Sequence, residues 1–305
     1  DQGIPRPGAL GLEYDVLPTN LYLSYGELFV GARLVDTSHL IRQVRSVKSA
    51  WEVARIEEAA EQVDLMFRTA RAILREGISE IELEAEVEKV GRMHGHPALI
   101  RMRTWNAENI FGYLASGPNS AMPIHADAAG VGVGLSPALG TSASYRRIGR
   151  GEPVYMDVTG CVDGYVADQT RVLVIGPAPQ RLRDAYEAMR QLHAQLRDAV
   201  RPGVRCGDVY DLALRLADEL GYGEHFMGSK EARLGFVGHG IGLELDEPPA
   251  LARGVTTPLE EGMVIAIEPK VIIPGFGAIG FENSHLVTED GVRTLTVSDE
   301  ELAVV

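Results

Sequence analysis

No run of eighteen apolar residues occurs in this 305-residue chain, so no membrane span is expected. The first residues, DQGIPRPGAL, lack the charged-then-apolar secretory pattern, and they also lack an initiating methionine. The abrupt start reads as a fragment or a processed product. Cysteine is scarce. Cys161 and Cys206 are too few for a disulfide framework; both read as small buried hydrophobes and fit a reducing cytoplasm. Positive charge is also in short supply: 29 Lys and Arg stand against 43 Asp and Glu, a net charge of −14. That balance argues against a phosphate-backbone partner, so no nucleic acid is expected. Glycine, by contrast, is abundant, with 34 residues, several beside candidate ligands. A composition of 45% hydrophobic and 24% charged residues is that of an ordinary globular protein.

Residues 1–45 hold a helix-like stretch (Leu21–Phe29) and a strand-like one (Ala32–Val35), too little for an independent core. They read as the last pieces of an upstream domain, ahead of a domain spanning 46–305. From Ser49 the pattern turns helical: Ser49 with Glu52 makes a capping box, and Val53, Ile56, Ala60, Val63, Phe67 and Ala70 repeat at helical spacing. A second helix starts at Ser79 with Glu82 and runs to about Met93. Asn109–Ser116 is strand-like. The segment 126–150 has no period and is long for a structureless connection, so it reads as a functional loop or a partner-contact arm. His125 stands at its start, and a lone His is commonly a satisfied structural residue. Two amphipathic helices follow, Pro179–Val200 and Cys206–Leu220.

Two hairpins carry the chemistry. In Val154–Ile175 the turn Asp163-Gly164 joins two strands, each with one acid in an apolar setting, Asp157 and Asp168. A turn there sets the two carboxylates opposite each other or one diagonal step apart, on one face either way. In residues 263–291 a turn at Pro274-Gly275 does the same for Glu268 and Glu282, each preceded by apolar residues. Between the hairpins, His239 is flanked by Gly238 and Gly240, which suits close backbone approach or a positive φ and marks it as a ligand more than a core residue. Two hairpins with two acids each suggest two similar halves facing each other.

Buried carboxylates need partners. One imidazole among four acids suits a borderline-to-hard divalent ion: manganese, iron, cobalt or zinc. Four negative charges exceed what one such ion balances, whereas two ions sharing bridging carboxylates balance them and can hold a hydroxide. An adjacent Glu could then pass a proton to a leaving amine.

The Asp-x10-Asp pair, the GHGIGLE block, the EP-containing strand and the later FEN strand resemble the pita-bread metallopeptidases, in particular the prolidase and aminopeptidase P branch. The likeness runs from about Ser46 to the C-terminus. It implies an α+β fold of two pseudo-symmetric halves, curved antiparallel sheets covered by helices, and a homodimer acting on small peptides of Xaa-Pro type. It implies two divalent ions: Asp157 on one, Asp168 and Glu282 bridging, His239 and Glu268 completing the other, with Glu268 also the acid/base. LASGPNSAMPIH, residues 114–125, is similar to the family's strand ending in a substrate-side His, which makes His125 that candidate. Residues 1–45 resemble the end of the branch's N-terminal domain. There are two departures. Asp246 stands seven residues after His239, where the family usually has a second, substrate-side His, and an ionised Asp cannot donate a hydrogen bond. Losing one such donor typically costs a factor of about 100–1000 in turnover. The segment between His125 and Asp157 is also longer than usual. These departures keep two alternatives open: a metal-dependent enzyme for a non-peptide small substrate, or a non-catalytic binding module, although such modules usually lose ligands.

Overall fold

The computed structural model describes residues 5–103, 111–123, 128–228 and 232–305. Its first piece comprises β1 (Ala9–Leu12), α1 (Thr19–Leu28), β2 (Arg33–Asp36) and α2 (Ser38–Ser46), with β1 and β2 paired in parallel. Helix α1 buries no residue, and its Leu21, Leu23 and Leu28 are exposed. The thin apolar content expected of this region is visible as a piece without its own core.

Helices α3 (Ala50–Ile73) and α4 (Glu80–Met93) begin where the capping boxes predict: Ser49 and Ser79 each accept the N3 backbone N–H, and Glu52 and Glu82 accept the N-cap N–H in return. The periodic residues of α3 face inward, with Ile56, Ala60, Val63, Met66 and Ala70 fully buried. They cover β4 (Val154–Val162) and β5 (Tyr165–Val174), which lie beyond β3 (Gly112–Ser116) and the single turn α5 (Gly117–Ser120). Every residue of β5 is buried, including the polar run Asp168, Gln169, Thr170 and Arg171. Helix α3 comes so close to the sheet that a Cβ at Gly160 would run into the backbone carbonyl of Ala59.

The second half repeats the plan. Helices α6 (Gln180–Ala199) and α7 (Cys206–Glu219) precede β6 (Gly238–Gly240), β7 (Val264–Ile267), β8 (Lys270–Ile273), β9 (Gly277–Gly280), β10 (Asn283–Thr288), β11 (Gly291–Thr294) and β12 (Ala303–Val304). Two four-stranded sheets result, ordered β12-β5-β4-β3 and β11-β10-β7-β6, each packed against a helix pair. The expected single hairpin over 263–291 is split. Ile267 opposes Asn283 and Lys270 opposes Gly280, so one register runs through, but the ladder breaks at Glu268-Pro269 and Phe281-Glu282. Pro269 has no N–H to give to the ladder, and β8 and β9 pair as a separate ribbon.

The two sheets meet along β5 and β10. Ser284 Oγ accepts from the Asp168 N–H at 3.0 Å and donates to Asp168 O at 2.9 Å. Arg171, 1% exposed, donates across the same seam to Glu282 O and Asn283 Oδ1 and stacks on the Phe281 ring. Residues 128–150 are held to their own chain. The buried Glu80 carboxylate accepts from Ser116, Asn119 and Ser144, while Ala129, Val131, Ala143 and Ile148 are buried. Among the described residues no helix is long and apolar enough to cross a membrane.

Candidate metal centre and active site

The hairpin β4–β5 turns at Asp163 (φ 52°) and Gly164 (φ 87°), the left-handed pair a two-residue type I′ loop needs. Its register sets Asp157 opposite Thr170 and Thr159 opposite Asp168, so the two acids are diagonal neighbours on one face. In the other half, the through-running register brings Glu268 opposite Glu282 at the point where the ladder breaks. His239 lies on β6, paired with Ala266. Its flanking glycines serve close approach: a Cβ at Gly238 would collide with Ala266 O, and one at Gly240 with Pro248 O. Met102, Tyr113, Leu245 and Asp246 line the same cleft.

Asp168, His239 and Glu282 are buried, and each offers a ligand atom within 4.8 Å of the others. His239 Nε2 is 3.9 Å from Asp168 Oδ2 and 3.4 Å from Glu268 Oε1. Among the described residues, Asp168 Oδ1 and Glu282 Oε1 are buried without a hydrogen-bond partner. Glu282 Oε2 accepts from Thr170 Oγ1 at 2.6 Å. A His with two carboxylates, two of their oxygens orphaned, is a donor set that suits one divalent ion.

The remaining two acids have a partner that the charge balance from sequence did not count. Lys270, 2% exposed, places Nζ 2.9 Å from Asp157 Oδ2 and 2.6 Å from Glu268 Oε2, with Glu282 Oε2 at 3.5 Å. Tyr155 OH donates to the same Asp157 Oδ2 at 2.9 Å.

Electrostatics follow from this crowding. Burial, then Glu282 and Asp157, drive Asp168 well above the usual carboxylate range. Burial lifts Glu282 to about 8, against the pull of Lys270. Burial would lower His239, but Asp246, Glu268 and Glu282 outweigh it and hold the imidazole at about 9. Burial likewise opposes the Lys270 charge, and Asp157 and Glu268 more than restore it, leaving an ammonium. Protons thus crowd the three residues that a metal would share, and a divalent ion there would displace them.

Asp246 is not free in the cleft: its Oδ1 lies 3.3 Å from His239 Nδ1, whose other partner is Gly240 O at 3.1 Å. His125 lies outside the described residues. Sequence reasoning passed over Lys270, Tyr155, Thr170 and Arg171. Lys270 stands two residues after Glu268 in a segment that is otherwise apolar.

The chain is similar to known proteins over most of its length. The model of metallopeptidase family M24 matches residues 54–289. A Xaa-Pro dipeptidase of Pyrococcus furiosus is 33% identical over 265 residues, covering 86% of this chain and 66% of that protein, so the chain spans slightly under two thirds of that relative. An X-Pro aminopeptidase from Thermotoga maritima superposes with a TM-score of 0.82 at 25% identity, over 97% of this chain and 75% of that one. The prolidase from Pyrococcus furiosus does so with 0.79 at 30% identity, over 95% and 76%. The two helix-covered sheets are therefore the halves of a pita-bread fold, and a match running from α3 to the end of β10 means that the chain belongs to metallopeptidase family M24.

Proposed function

We propose that the protein is a metal-dependent peptidase that removes the N-terminal residue of small peptides or dipeptides, of Xaa-Pro type. The observation that carries this reading is the buried set Asp168, His239 and Glu282 with two orphaned carboxylate oxygens, next to Glu268. These three would hold the ion. When bound, a divalent ion supplies Lewis acidity and acidifies water. Glu268, within reach of the same centre, takes the acid/base role and protonates the leaving amine. Asp157, anchored by Tyr155 and Lys270, fixes the far wall. Asp246 orients the His239 ring, and His125 is assigned to the substrate side. Met102 and Leu245 give the cleft an apolar wall for a small side chain.

Manganese is the ion of choice for this mixed donor set. Two buried free thiols support a cytoplasmic location. The exposed Leu21, Leu23, Leu28 and Val44 support a homodimer or domain contact over residues 1–45, ahead of a catalytic domain at 46–305. The purified chain with manganese should release amino acids from a panel of Xaa-Pro dipeptides, and a chelator should abolish release. Bound metal without release from any of them would reject the substrate assignment. A second reading is a non-peptide small amide as substrate, and the same assay on such amides separates the two.

A further inference from the structure

We propose that the Lys270 ammonium is a built-in cation standing in for one divalent ion, so that the centre holds a single metal per chain, on Asp168, His239 and Glu282. This deepens the metal-dependent reading above and rests on it.

The four acids divide by their partners. Lys270 Nζ contacts Asp157 Oδ2 at 2.9 Å and Glu268 Oε2 at 2.6 Å, with Glu282 Oε2 at 3.5 Å. An ammonium has three N–H donors and no acceptor, and this one donates to Asp157 Oδ2 with Glu268 and Glu282 as further ion-pair partners. The orphaned oxygens belong instead to Asp168 and Glu282. A second ion on Asp157 and Glu268 would share carboxylates whose Oδ2 and Oε2 already face Nζ, and it would stand beside a buried positive charge. Like charges at such range oppose each other strongly.

The lysine's seat is built for it. Gly280 opposes Lys270 in the β8–β9 ladder, and a Cβ there would come within 2.8 Å of Lys270 Cγ, so the missing side chain leaves room for the lysine stem. The Tyr155 ring lies under Nζ, 5.9 Å to its centroid, while its hydroxyl holds Asp157. Lys270 opens β8 just past the break, and its Nζ is aimed into the acids. Buried lysines survive only with such partners. Asp157 is then a lysine anchor and not a metal ligand.

The test is a metal count on the full chain with manganese alone as probe, by equilibrium dialysis with elemental analysis, and by electron paramagnetic resonance. One manganese per chain with an uncoupled signal is expected. Two per chain with an exchange-coupled signal overturn the proposal and leave the metal-dependent reading standing; none at saturating manganese overturns both. Lys270→Gly, checked for folding by circular dichroism, should raise the count from one to two, and a folded variant still at one would contradict the assignment. Asp157→Asn should keep one manganese at unchanged affinity, whereas loss of the ion would make Asp157 a ligand. If either variant fails to fold, the count on the unaltered chain decides.

Discussion

At the residue scale, the imidazole of His239 is aimed from behind. One ring nitrogen faces Asp168 and Glu268, and the other faces Asp246 Oδ1 and Gly240 O. A carboxylate on the rear nitrogen fixes the tautomer and makes the front nitrogen a better donor to a metal. Asp246, which the family resemblance sets on the substrate side, thus has a geometry suited to orienting a ligand. Asp246→Ala should weaken manganese binding by about 10–100-fold, measured by isothermal titration calorimetry. Unchanged affinity would mean that the Gly240 carbonyl alone aims the ring.

At the scale of elements, the site depends on how closely the helices and strands approach. Helix α3 lies against β4 at Gly160, where an added Cβ would meet Ala59 O and, at 3.0 Å, Val63 Cγ2. Because the obstruction is backbone, it cannot swing aside. Gly160→Ala should therefore destabilise the fold by about 1–3 kcal/mol, read from the urea midpoint. An unchanged midpoint would show that α3 can slide on the sheet. The break at Glu268-Pro269 works the other way: it frees β8 and β9 from the main sheet, so that Lys270 on one ribbon and Asp157 on another strand converge.

At the scale of the whole molecule, buried titratable groups in the core tie stability to pH. His193 on α6 and His285 on β10 sit with their Nε2 atoms 3.1 Å apart, both buried. Burial, with His285 and Arg171 adding, holds His193 well below its ordinary value; burial, with Arg197 and Arg171, holds His285 at about 3. Both rings are neutral in the fold and take up protons on unfolding once the pH drops below about 6.5. Their contribution is therefore present above that pH and is lost as the pH falls towards the folded values. The pair should steepen the loss of stability by up to about 2.7 kcal/mol per pH unit, seen as falling urea midpoints between pH 7 and pH 5. A flat profile across that window would mean that charged rings are tolerated inside.

The order of amino acids by itself determined the local elements and the list of acids. The boxes at Ser49 and Ser79, the Asp163-Gly164 turn and the alternation that puts Asp157 and Asp168 on one face are all short-range, so they are legible in neighbouring residues. Only the tertiary structure decided what those acids meet. A lysine on a strand reads as solvated, and nothing local says that Gly280 vacates its space or that Asp157, more than a hundred residues earlier, faces its ammonium. Nor could spacing show that Asp246 lies behind His239, or that Arg171 crosses the seam between the halves. Charge compensation acts through space and not along the chain, so which cation answers which carboxylate is settled only when distant strands come together.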